Sequence, residues 1–150
     1  MTEPNVLGNV SPAKFLFDSG NTEIINLWSP SFDSTTQSAH YPDAGEVNGQ
    51  DFVVPADHVF YLLNLSIPIC DSAATFALQS NTTPDTATDG TTLLIRSIVA
   101  AIAATSPLSQ GSLSEDCCVK FDAADYVTLT ETSGNNPNFF WLAWGVLCDA

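Results

Sequence analysis

Polar and apolar positions alternate along this chain in short runs broken by turns, and the last third shows the pattern most clearly. Tyr126-Val-Thr-Leu-Thr-Glu131 has a period of two, the signature of a strand with one face in water. Ser133-Gly-Asn-Asn-Pro137 is a turn, and Asn138-Phe-Phe-Trp-Leu-Ala-Trp-Gly-Val-Leu-Cys148 is apolar at almost every position. Together they predict a terminal hairpin whose return strand is covered on both sides. One cover is a second sheet of the same chain, and the other is a neighbouring subunit.

The earlier part of the chain follows the same rhythm. Residues Thr2 to Pro12 are rich in Pro, Asn and Gly and lack periodicity, which predicts an extended arm. Ala13-Lys-Phe-Leu-Phe17 reads as a short strand ended by the turn Asp18-Ser-Gly-Asn21, and Thr22 to Trp28 as a second strand closed by Ser29-Pro30. Ser31 to Gln50 is a long polar loop, a kind of segment that is usually functional or packed on a neighbour. Asp51-Phe-Val-Val54 and Pro55-Ala-Asp57 lead into a long strand, His58 to Ile69. Simple alternation there puts Val59, Tyr61, Leu63, Leu65 and Ile67 on the core face and His58, Phe60, Leu62, Asn64 and Ser66 on a mixed one.

Ala73 to Gln79 is another strand, and Ser80 to Gly90 a Thr-rich loop. Thr91 to Ala103 admits a helix by its length and alanines, but Thr, Ile and Val favour a strand, and strand context on both sides decides for strand. Ser106 to Asp116 reads as loop and Val119-Lys-Phe121 as a short strand. Many short strands, with no long amphipathic helix, predict an all-β fold, an antiparallel β-sandwich over residues 13–150 behind an extended N-terminal arm, 1–12.

Composition narrows what such a domain can do. A chain of 150 residues with 45% hydrophobic content can fill one real core. Its 17 Asp and Glu face only Lys14, Arg96 and Lys120, a formal net charge of -14. Three scattered cations cannot displace the counterions of nucleic acid, nor hold the chain on an anionic membrane. The acidic surface suits solubility or docking on a basic protein partner. Met1 precedes Thr-Glu-Pro-Asn, with neither the basic nor the apolar region of a signal peptide, so a cytoplasmic start is expected.

Chemistry is harder to find. Cys70, Cys117, Cys118 and Cys148 form no CxxC and have no histidine at zinc-ligand spacing. They read as small buried hydrophobes in a reducing compartment, the alternative being a Cys70 to Cys148 staple between sheets. Adjacent Cys117 and Cys118 would point to opposite faces of a strand. Asp85-Thr-Ala-Thr-Asp-Gly90 approximates a calcium loop, but Ala87 takes a ligand position and Arg96 stands where the closing Glu belongs. His40 and His58 sit near no nucleophile motif and read as surface histidines, and Asn64-Leu-Ser66 and Asn81-Thr-Thr83 as chance sequons. No enzyme activity, cofactor or metal is expected. The densest cluster is Phe139, Phe140, Trp141 and Trp144, which is either core or a subunit interface. Alternation puts Phe139, Trp141 and Leu147 on one face and Phe140, Leu142, Trp144 and Val146 on the other. An apolar outer face predicts association.

The run Val119-Lys-Phe-Asp-Ala-Ala-Asp-Tyr-Val-Thr-Leu129, then Ser133-Gly-Asn135 and Phe139-Phe-Trp-Leu-Ala-Trp-Gly145, resembles the end of jelly-roll domains of the trimeric tumour-necrosis-factor and complement-globular-head type. Val53-Val-Pro-Ala-Asp-His-Val-Phe-Tyr-Leu-Leu63 is similar to the proline turn and long strand that open them, and Ala124-Asp125 stands where a Gly-Asp is usual. Such domains recur in tailed-phage virion proteins, both head decoration (cement) proteins and tail appendages. The resemblance implies a jelly-roll and a homotrimer that cements a bacteriophage capsid, made in the host cytoplasm and carried on the virion surface. Its partner would be the major capsid protein, reached by arm residues Pro4, Val6, Leu7 and Val10. The second reading is a receptor- or glycan-binding head of a tail fibre, using the loops Ser31 to Gln50 and Ser80 to Gly90.

Overall fold

A strand that is apolar on both faces needs neighbours on both edges, and the last strand of this chain has them. The computed structural model describes residues 22–33, 36–41, 49–87, 90–101 and 113–150, with main chain only at 113–115. Its elements are all strands: β1 Thr22–Trp28, β2 Gln37–Ser38, β3 His40–Tyr41, β4 Gln50–Asp51, β5 His58–Cys70, β6 Ala74–Asn81, β7 Thr91–Ile98, β8 Leu113–Phe121, β9 Tyr126–Glu131 and β10 Phe139–Asp149. They form two antiparallel sheets, ordered β4-β3-β1-β10-β5-β8 and β2-β9-β6-β7. The strand expected over 91–103 is confirmed for Thr91–Ile98. The arm, the strand expected over 13–17 and the candidate contact residues Pro4, Val6, Leu7 and Val10 lie outside the described residues.

The wiring is that of a jelly-roll. The first and last long strands, β1 and β10, are neighbours in register from Thr22↔Cys148 to Trp28↔Leu142. From β5 onward the chain changes sheets between β5 and β6, β7 and β8, β8 and β9, and β9 and β10. The expected terminal hairpin is therefore corrected. β9 pairs with β2 and β6, whereas β10 pairs with β1 and β5. The connection between them crosses the end of the sandwich and is pinned to the β5–β6 corner. There the Asn138 N–H and side-chain amide donate to the Asp71 carboxylate at 2.9 and 2.8 Å, and the Asn135 amide donates to the Ala73 carbonyl at 2.8 Å.

Between the sheets lies one core in which Trp141, Phe60, Phe76, Phe121 and Phe139 are fully buried. Phe76 and Phe139 meet across the sheets edge to face, ring centroids 4.7 Å apart. The alternation predicted for β5 is corrected here as well. Phe60 and Leu62 face the core, while Val59, Tyr61 and Leu63 face outward. The register against both neighbours slips beside Leu63, where β10 steps from Trp144↔Asn64 to Gly145↔Leu62 and β8 shows a shift at the same place. This bulge adds one residue, so Leu65 and Ile67 return to the core as expected. Strand β8 begins at Leu113, inside the segment read as loop.

Two loops show how local chemistry holds the frame. The turn before β9 puts Ala124 at φ 68°, a left-handed conformation costing alanine roughly 1 kcal/mol and open to glycine without strain. Main-chain bonds from the Ala124 N–H to the Val54 carbonyl and from the Val54 N–H to the Asp125 carbonyl clasp that turn. After β9, the Glu131 carboxylate accepts hydrogen bonds from the Ser133 hydroxyl and from the N–H groups of Ser133 and Gly134. Burial raises its pKa, but these bonds, with that from the Asn136 N–H, outweigh it and hold the carboxyl below its ordinary 4.5. A depressed folded-state pKa contributes stability above the unfolded value, lost as pH falls through the folded one. Glu131→Gln is therefore expected to lose stability at neutral pH, and its deficit against the parent should shrink as pH falls below 4.5 in paired urea titrations.

Candidate functional site: the outward face of the six-stranded sheet

The side of the six-stranded sheet turned away from the core carries an apolar strip along its three central strands. On β10 the outward positions are Phe140, Leu142, Trp144, Val146 and Cys148. Val146, Cys148 and Trp144 join Val59, Tyr61 and Leu63 of β5 in a second apolar cluster, separate from the main core. The bulge at Leu63 makes this possible, because it turns Leu63 and Asn64 together to the same side. On β1 the register places Ile24 opposite Val146, Asn26 opposite Trp144 and Trp28 opposite Leu142. Ile24 is 52% exposed and Leu142 40%. Around Leu142 lies a shallow depression of about 380 Å³, lined by Trp28, Leu142 and Trp144 with Asn26, Asn64 and Ser66.

The four aromatics singled out as a cluster are divided by this geometry. Phe139 and Trp141 are 0% exposed and belong to the core between the sheets, so as interface candidates they are corrected. Phe140 and Trp144 face outward and are half-buried. Ile24 and Trp28 were missed, although both sit at even positions of a run whose odd positions, Ile25 and Leu27, pack on the core. Tyr61 and Leu63 were assigned to the wrong face because a bulge leaves no mark in the alternation.

Charge is kept to the margins. On β8, Lys120 lies opposite Tyr61, and its ammonium is 2.6 Å from the Asp122 carboxylate. Asn64 donates to Asp116 at 3.2 Å. An apolar centre with polar and paired charged groups around it is the anatomy of a protein–protein contact.

The other candidates do not converge. His40 Nε2 lies 3.0 Å from Asp51, and His58 Nε2 3.5 Å from Asp149, at separate places. Asp85 clasps its turn to strand β2: its carboxylate accepts the Ser38 N–H at 2.8 Å, and its own N–H donates to the Ser38 hydroxyl at 2.7 Å. The four cysteines are free thiols. Cys70 lies in the main core and Cys148 in the outward cluster, on opposite faces of the sheet, so the suggested staple is overturned. Burial pushes both thiols up. Cys117 packs against the core and Cys118 is exposed, as alternation required. Among the described residues no three His, Cys, Asp or Glu side chains gather as a metal site.

No protein-family model matches the sequence, and no curated protein matches it. Solved structures similar in fold include the globular domain of zebrafish complement 1qA, with 12% identity, TM-score 0.45, and coverage of 82% of this chain and 94% of that one. The Eiger TNF from S. frugiperda shows 11% identity and TM-score 0.41, over 87% of this chain and 94% of that one. The K3 cleaved adhesin domain of Lys-gingipain from Porphyromonas gingivalis shows 13% identity and TM-score 0.39, over 77% and 73%. By the strand order of its two antiparallel sheets, this chain is an all-β jelly-roll sandwich.

Proposed function

We propose that this protein is structural and works by assembly: a homotrimer, formed through the outward face of the six-stranded sheet, that decorates a bacteriophage head. The observation that carries the assembly is the apolar strip around Leu142 and Trp144 on a sheet whose other side already fills the core. A sandwich that worked alone would keep that face polar. The phage capsid as destination rests on the sequence resemblance, and the acidic surface, at -14, fits a soluble protein displayed outside a shell. Buried area at trimer and capsid contacts would then add to the stability of the particle.

Leu142→Asp tests the assembly. At 40% exposure the new carboxylate stays solvated in a folded monomer, but burying it in an interface costs about 3 kcal/mol or more. The parent is expected to sediment as a trimer at micromolar concentration, and the variant as a monomer with an unchanged far-UV spectrum. A monomeric parent defeats the reading. The destination is tested by adding the parent to undecorated heads, where stoichiometric binding and gained heat resistance are expected. Binding to cells or glycans in place of capsids would favour the tail-fibre head.

A further inference from the structure

The outward strip is crossed by one polar row. The register places Asn26 beside Trp144, Trp144 beside Asn64 and Asn64 beside Asp116, across strands β1, β10, β5 and β8. The rows to either side centre on Val146 and Leu142, paired with Ile24 and Trp28 of β1. Asn64 belongs to this face because the bulge at Leu63 turns both residues outward. Asn26 is exposed and Asn64 half-buried, and the Asn64 amide donates to the Asp116 carboxylate at 3.2 Å. A tryptophan flanked by two carboxamides therefore sits in the middle of the surface that assembly would bury.

Apolar contact alone leaves register loose, because one apolar strip slides on another at little cost. A carboxamide carries donors and an acceptor, and burying it without a partner weakens association about ten-fold or more. One polar position in an apolar seam thus fixes register and copy number at some cost in affinity. We propose that Asn26 of one protomer hydrogen-bonds Asn64 of the next, and that this pair sets the register and the threefold closure of the ring. The pairing rests on the homotrimer proposed above. In a ring, each protomer turns a different side to each of its two neighbours. With β10 turned to the axis, the β1 side of one copy meets the β5 side of the next, and those sides carry Asn26 and Asn64. The Asp116 carboxylate already takes one Asn64 amide N–H, so the Asn64 carbonyl oxygen is left to accept from Asn26. Trp144, between the two, then packs against its symmetry copies at the centre.

Leucine matches the carboxamide in size and removes its polarity, so a double-mutant cycle, read by sedimentation over a concentration series, tests the pair. Asn26→Leu and Asn64→Leu each strand one carboxamide, and each should raise the concentration of half-assembly about ten-fold or more. The double variant should assemble at or below the parent's concentration and give masses besides the trimer, because the pair that selected it is gone. Unchanged far-UV spectra are expected for all three. A trimeric parent whose two losses multiply in the double variant overturns the pairing and leaves the trimer standing, whereas a monomeric parent removes both. A second measurement refolds Asn26→Cys chains together with Asn64→Cys chains, both in a Cys118→Ser background. A disulfide between position 26 of one chain and position 64 of another, mapped by mass spectrometry, is the expected product. Links of 26 to 26 or 64 to 64 in its place overturn the pairing.

Discussion

Replacing Gly145 with alanine is expected to destabilise the fold by about 3 kcal/mol, at the upper end of overpacking effects. Gly145 sits in the middle of β10, turned to the core and opposite Leu62 at the bulge. A Cβ there would lie 2.2 Å from the Tyr61 carbonyl oxygen, 2.5 Å from Phe60 Cζ and 2.7 Å from Phe60 Cε2. The first is a main-chain atom, so relieving it means parting β10 from β5 where the sheet's two longest strands are paired. The second cannot swing away, because the Phe60 ring is fully buried against Phe52 at 5.0 Å and Phe121 at 6.2 Å. Such a loss is a large part of the 5–15 kcal/mol that holds a typical domain. Urea unfolding should show a lowered midpoint with an unchanged slope. Adding Phe60→Leu should recover only part of it, because the Tyr61 oxygen stays in place. An alanine variant as stable as the parent would mean that β10 and β5 are not spaced this way.

Trp141→Ala is expected to cost about 3–5 kcal/mol, and Trp144→Ala much less, although the two tryptophans are three residues apart on one strand. Trp141 is 0% exposed in the core between the sheets, and its main chain is fixed by Ser29: the Trp141 main-chain N–H donates to the Ser29 hydroxyl at 3.1 Å, and the Trp141 carbonyl accepts the Ser29 N–H at 2.9 Å. Truncating that side chain opens a cavity that two sheets, tied by main-chain bonds, cannot close. Trp144 is half-buried in the outward cluster. Its removal should instead raise the monomer fraction on sedimentation. The pair of measurements, unfolding midpoint and oligomer mass, thus separates the two faces of β10. Equal stability losses, with no change in mass for Trp144→Ala, would contradict the division of roles.

Period-two alternation is a local property, set by the geometry of each strand, and it is why most of the elements could be read from residues alone. Thr22–Trp28 and Tyr126–Glu131 match the expected strands end to end, and the opposite facing of Phe140 and Trp141 follows from the same rule. The apolar run of β10 marked a central strand whose inner face, with Phe139 and Trp141, fills the core between the two sheets. The sequence also made plain the chain's acidity and its poverty in metal-ligand and nucleophile motifs.

Partner choice is a non-local matter, and only the tertiary structure decided it. Nearness in the chain suggested that β9 and β10 pair. Yet β10 reaches β1, more than a hundred residues away, because both its edges and both its faces must be satisfied at once. The bulge at Leu63 is a mismatch of register between strands, invisible in either strand alone, and it decides that Val59, Tyr61 and Leu63 build the outward cluster. The outward face therefore had half its residues legible in β10 and the other half fixed only when three distant strands came side by side.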